Sequence, residues 1–148
     1  MPIIPSAWMG GIQEWIRQTA NAINPVVRNW PDFGTTGTIG YVTGAGGAVT
    51  QATNKATGVT LNASCGRITM NAAALNAGTA VSFTLTNSRI AAGDLLILNH
   101  ASAGTAGAYT LNGQAGSGSA VITVRNVTAG NLSEAIVIGF AVIKGVTA

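Results

Sequence analysis

The sequence predicts an all-β body, a sandwich or barrel of about eight short strands, preceded by an N-terminal arm carrying a short amphipathic helix. Three observations predict it. Apolar residues alternate with Thr, Ser or Arg at period two in Val81 to Thr86 and again in Ala120 to Arg125, a pattern that buries one face of a strand and leaves the other polar. Connections rich in Gly, Ser and Asn recur between such stretches, as in Ala101 to Gly107, Gly113 to Gly118 and Thr128 to Asn131. All four prolines and all three tryptophans fall within the first 31 residues, so composition breaks near residue 33.

Taken in order, residues 1–37 read as the arm and 38–148 as the body. Trp8, Ile12, Trp15, Ile16, Ala20 and Ile23 recur at the period of one helix face, with Ser6 as N-cap and Asn24-Pro25 as stop, so a helix is expected over about residues 6–23. In the body, strands are expected at Thr38 to Thr43, Gly58 to Asn62, Gly66 to Met70, Ala80 to Thr86, Asp94 to Asn99, Ala108 to Asn112, Ala120 to Asn126 and Ala135 to Lys144. Absence of proline there preserves their ladder donors. Ala45 to Gly58 reads as loop with at most a short edge strand around Val49, and Asn71 to Gly78 as loop or one helical turn.

Charged residues make up 7% of the 148, against about 25% in ordinary soluble domains, while Ala (25), Gly (20) and Thr (18) together supply 43%. Enough Val, Ile, Leu and Phe remain for a core, and the surface left over is uncharged and small, suited to meeting another protein. The net charge of +3 comes from cations spread singly between Arg17 and Lys144, so no stripe for nucleic acid is expected. The longest apolar or glycine run, Ala135 to Ile143, is far short of a membrane helix of about 20 residues. No secretion signal is expected at the N-terminus, and folding is expected in the cytosol.

Chemistry-bearing residues are few. Ser88, Asp94 and His100 follow the chain order of some hydrolase triads, but no Gly-x-Ser-x-Gly turn holds the serine, and Cys65 with His100 lacks any local signature. A single cysteine excludes an intrachain disulfide. Glu14, Asp32, Asp94 and Glu134 show no metal-ligand spacing, and Gly44 to Gly47 lacks the Lys-Ser/Thr of a phosphate loop. No catalytic residue, metal or cofactor is expected. The glycosylation triplets at Asn62, Asn126 and Asn131 carry no weight without secretion. What stands out is large apolar surface on the arm: Trp8, Ile12, Trp15, Ile16, Trp30 and Phe33 are the candidate attachment residues.

The segments Gly44 to Asn62, Gly66 to Leu75, Val81-Ser-Phe-Thr-Leu-Thr-Asn-Ser88, Leu98 to Asn112 and Ala120 to Ile138 together resemble a small β-domain widespread in virion proteins of tailed bacteriophages, over roughly residues 39 to 145. The resemblance implies a jelly-roll-like antiparallel β-sandwich that assembles as a homotrimer, with structural rather than catalytic motifs. Similar domains occur as capsid decoration (cement) or head-fibre proteins and as parts of tail fibres. The expectation is a decoration protein on the outer surface of the capsid, its arm binding the major capsid protein. The alternative is a fibre-tip domain that contacts a host-surface receptor, such as a glycan, through loops including Ala101 to Gly107.

Overall fold

The structure, a computed structural model, describes residues 40–145 together with Trp15 and Gln18. The chain divides into two units, Met1–Val42 and Thr43–Ala148. In the first unit Trp15 and Gln18 are helical, and the rest of the helix expected over residues 6–23 lies outside the described residues.

The second unit is all-β. Its strands are β1 (Gly46–Thr50), β2 (Val59–Thr60), β3 (Cys65–Thr69), β4 (Ala80–Thr86), β5 (Leu95–Ser102), β6 (Tyr109–Gly116), β7 (Ser119–Asn126) and β8 (Val137–Ile143). They form two four-stranded sheets, ordered β1-β3-β8-β5 and β2-β4-β7-β6. Both sheets send alternate residues into one core, as a β-sandwich requires. Ile68, Ile138, Phe140 and Val142 come from the first sheet; Phe83, Leu85, Ala120, Ile122 and Val124 come from the second. The period-two pattern of β4 and β7 therefore does what the sequence implies: Phe83 and Leu85 are buried while Ser82 and Thr84 face out.

The sheets are mixed, which corrects the all-antiparallel expectation. β1 pairs parallel with β3, and β2 parallel with β4; every other pairing is antiparallel. The reason lies in the connections. Successive strands from β1 to β4 alternate between sheets, so β1 reaches β3 through β2 of the opposite sheet, and β2 reaches β4 through β3. A parallel pair needs such a crossover, and here a strand of the facing sheet supplies it.

Two local differences follow from non-local contacts. Of the strand expected at Thr38 to Thr43, residues 40–43 hold a bridge position at Tyr41 and the start of a turn, and residues 38–39 lie outside the described residues; the short edge strand expected around Val49 is present as Gly46–Thr50, where β3 offers a ladder in register Gly46↔Cys65 to Thr50↔Thr69. The segment Gly113 to Gly116, turn-like by composition, continues β6 opposite Ile122 to Ser119. Gly113 sits there because a Cβ would come within 2.9 Å of Leu98 and 3.2 Å of Leu96 on the facing sheet. The turn shrinks to Ser117-Gly118, with Gly118 at a φ of 71°.

Loops are held by buried neutral amides. Asn126, wholly buried, donates its amide to the carbonyls of Gly130 (2.8 Å) and Leu75 (3.1 Å) and accepts from Thr128 N. Asn87, also wholly buried, donates to Ala63 O at 2.7 Å and accepts from Arg89 N. Gln51 likewise bridges Lys55 O, Thr57 O and Asn71 N, shaping the loop after β1. No buried side-chain nitrogen or oxygen of the described residues lacks a partner.

Ile122→Ala, at a position of zero exposure, is expected to cost about 2–5 kcal/mol of stability, and Asn126→Ala about 1–3 kcal/mol through the carbonyls it orphans. Ile97→Ala, on the exposed face of β5, should stay within about 0.5 kcal/mol. Urea denaturation measures all three, and equal losses at Ile97 and Ile122 would contradict the two-sheet core.

Candidate interaction surface

Alternation fixes which residues face out from sheet β1-β3-β8-β5. Ile68 and Ile138 pair in register and are buried, as is Phe140 two positions on, so the rows that alternate with them point to solvent: Ala48, Arg67, Gly139 and Asn99 between the two, and Gly46, Cys65, Ala141 and Ile97 beyond Phe140. A third pair, Leu95 with Ile143, extends the first row along the face. The exposed large apolar residues lie at one side: Leu95 is 62% exposed, Ile97 53% and Ile143 43%. Small residues occupy the middle, and the resulting open concavity encloses about 650 Å³ between β1, β3, β8 and β5. Arg67 and Asn99 are the polar side chains of its lining.

The opposite outer face is chemically different. Ser82, Thr84, Thr110, Asn112, Gln114 and Thr123 give β4, β7 and β6 a neutral polar surface, on which the Ser82 and Thr123 hydroxyls hydrogen-bond at 2.8 Å. Val121 and Arg125 interrupt it.

The titratable side chains are tied into the frame. Asp94 accepts hydrogen bonds from Ala91 N (2.8 Å), Gly145 N (3.2 Å) and Lys144 Nζ (2.7 Å), joining the start of β5 to the end of β8. Burial penalises its charge, yet these hydrogen bonds and the Lys144 cation outweigh that and hold its pKa below the usual carboxylate value. Glu134 accepts from Thr105 Oγ1 (2.7 Å), Thr105 N (3.0 Å) and Tyr109 OH (2.7 Å), fastening the β5–β6 loop to the segment before β8. Hydrogen bonds from Thr105, then from Tyr109, hold the Glu134 pKa low. Burial, reinforced by bonding to the Glu134 anion, pushes the Tyr109 phenol up. Lys55 is buried, and its ammonium donates to Asn71 O and Glu134 O at 2.6 Å each. Desolvation lowers its pKa against the opposing pull of Glu134.

The residues weighed for catalysis are therefore dispersed. Asp94 turns to Lys144 and the backbone, while His100 pairs through Nε2 with Ala103 O and stands edge-on to Tyr109 at 5.7 Å. That contact sits beside Ala103, a non-glycine residue at a φ of 57°. Cys65 and His100 share a sheet but alternate to opposite faces, Cys65 opposite Ala141 and His100 opposite Ile138. Among the described residues no three His, Cys, Asp or Glu side chains come close enough to hold a metal. Asn62 and Asn131 use their side chains on Ser88 N and Ala77 N, structural tasks that the glycosylation triplets concealed.

Of the attachment candidates, Trp15 is described, helical and 67% exposed; Trp8, Ile12, Ile16, Trp30 and Phe33 lie outside the described residues. The apolar face of β5 went unnoticed in the sequence, although the run Leu95-Leu-Ile-Leu98 could have signalled it: with period two, such a run must present apolar side chains on both faces. No protein-family model matches the chain, and no curated protein or solved structure is significantly similar to it.

Both carboxylates bind protons less readily folded than unfolded, so they stabilise the fold at neutral pH. The unfolded chain takes up protons near 3.8 for Asp and 4.5 for Glu; stability is then lost as pH falls below about 5, until the lower folded values are passed. Thermal unfolding from pH 7 to pH 3 should show a falling Tm, with a shallower fall in Glu134→Gln. An identical acid limb in that variant would remove Glu134 from the account.

Proposed function

We propose that this chain is a structural virion protein of a tailed bacteriophage, a capsid decoration protein that binds the major capsid protein and stabilises the head shell. The observation that carries the proposal is the exposed apolar outer face of sheet β1-β3-β8-β5, with Leu95, Ile97 and Ile143 beside a floor of Gly and Ala. Such a face suits assembly, because it can be covered without desolvating many charges. The sequence motifs that resemble phage virion β-domains support it, as does the concentration of Trp8, Trp15 and Trp30 in the arm. Tryptophan is a common interface anchor, and three arms on a trimer would multiply a modest affinity.

The homotrimer and the jelly-roll-like description belong to the same proposal. Eight strands divided four and four support the jelly-roll-like reading, while the parallel edge pairs β1–β3 and β2–β4 depart from its all-antiparallel form. On this reading the protein resides on the outer capsid surface. It has no catalytic role, and its tied-down titratable groups serve the frame.

Removing residues 1–33 should abolish co-sedimentation with expanded capsids while leaving the β-sheet circular dichroism spectrum of the body intact. Undiminished capsid binding would overturn the arm's role. Virion images that place the protein at the tail would replace decoration by the receptor-binding fibre reading.

A further inference from the structure

We propose that the concavity on the outer face of sheet β1-β3-β8-β5 binds a peptide segment of a partner protein in which one carboxylate is flanked by large apolar side chains. Arg67 stands on this face in register with Ala48, Gly139 and Asn99. It is the one charged group lining the concavity, and its side chain meets no hydrogen-bond or ion-pair partner among the described residues. The two described carboxylates cannot serve it, since Asp94 is engaged by Lys144 and the backbone and Glu134 by Thr105 and Tyr109. The guanidinium therefore offers its planar fork to an outside anion, with an apolar wall at Ile97 and an amide at Asn99 beside it.

Shape sets the rest of the ligand. Ala48, Cys65, Gly139 and Ala141 keep the floor low, while Ile97 raises one wall, with Leu95 and Ile143 exposed further along the same face. Gly139 is part of the design, because a Cβ there would run into Asn99 Oδ1 and displace the amide. Large apolar side chains of a ligand would fill the space the small residues leave.

Size and charge favour a segment over a second copy of this chain. The lining crosses four strands about 4.8 Å apart, a width of roughly 19 Å that an extended segment of about six residues spans. A second copy of the body would bring only Asp94 and Glu134 as carboxylates among the described residues, and both are already engaged. The inference draws on the assembly reading only in taking the partner to be a protein.

The test uses the full chain and two blocked nine-residue peptides, one with aspartate at its centre between tryptophan and phenylalanine, the other with lysine in its place. Titration followed by amide chemical shifts should show the aspartate peptide binding at least tenfold more tightly, with shifts at Ala48, Arg67 and Gly139. Arg67→Glu should reverse the preference without changing Tm, since Arg67 is exposed, and Ile97→Asp should weaken both peptides. Equal affinity for the two peptides, or a preference unmoved by Arg67→Glu, would overturn the proposal. So would a homo-oligomer in sedimentation velocity that dissociates in Ile97→Asp, because the face would then be covered by another copy. None of these readouts depends on capsid binding, so they succeed or fail separately from the decoration role.

Discussion

The closure of two sheets over one shared core is the constraint on which the rest of this body depends. β7 and β8 are central in their sheets, and their inward rows, Ala120-Ile122-Val124 and Ile138-Phe140-Val142, are buried at every position. Once those rows are committed to the core, alternation leaves no choice for the others. Val121, Thr123 and Arg125 must face out on one side of the sandwich, and Gly139 and Ala141 on the other. The concavity and its lone guanidinium are consequences of that commitment.

A chain with so few charges must satisfy its interior by other means. It does so with neutral amides at strand ends: Asn87 follows β4, Asn126 ends β7, and Gln51 follows β1. Each binds backbone groups of a loop far away in sequence, so strand termini and loop shapes are set together. The few charged groups work similarly. Lys55 caps two carbonyls from inside, Asp94 ties the ends of β5 and β8, and Glu134 holds the β5–β6 loop. A surface left almost free of charge is then open to assembly, and it differs between the sheets, neutral polar on one and apolar on the other.

Much of the strand content was legible because its signals are local. Val81 to Thr86 and Ala120 to Asn126 alternate cleanly, and β4 and β7 appear there within a residue. β1 was faint because Gly46-Gly-Ala-Val-Thr50 has little β propensity of its own and gains its conformation from pairing with β3. The extension of β6 was hidden for a related reason: Gly113 reads as a turn residue until the Leu96 and Leu98 side chains opposite it are known. The candidate surface was less legible still, since a row such as Gly46, Cys65, Ala141 and Ile97 is drawn from four separate stretches of chain.

By itself the sequence determined the all-β character of the body, its burial pattern in the alternating strands and the scarcity of groups able to do chemistry. These depend on residue types and on periods of a few residues, which local sterics and hydrophobicity enforce. Only the tertiary structure decided the strand order, the two parallel edge pairs and the meeting of Arg67 with a small-residue floor and an isoleucine wall. Those are matters of which distant segments pair, and the hydrogen-bonding edge of a strand carries no label visible in the order of its side chains.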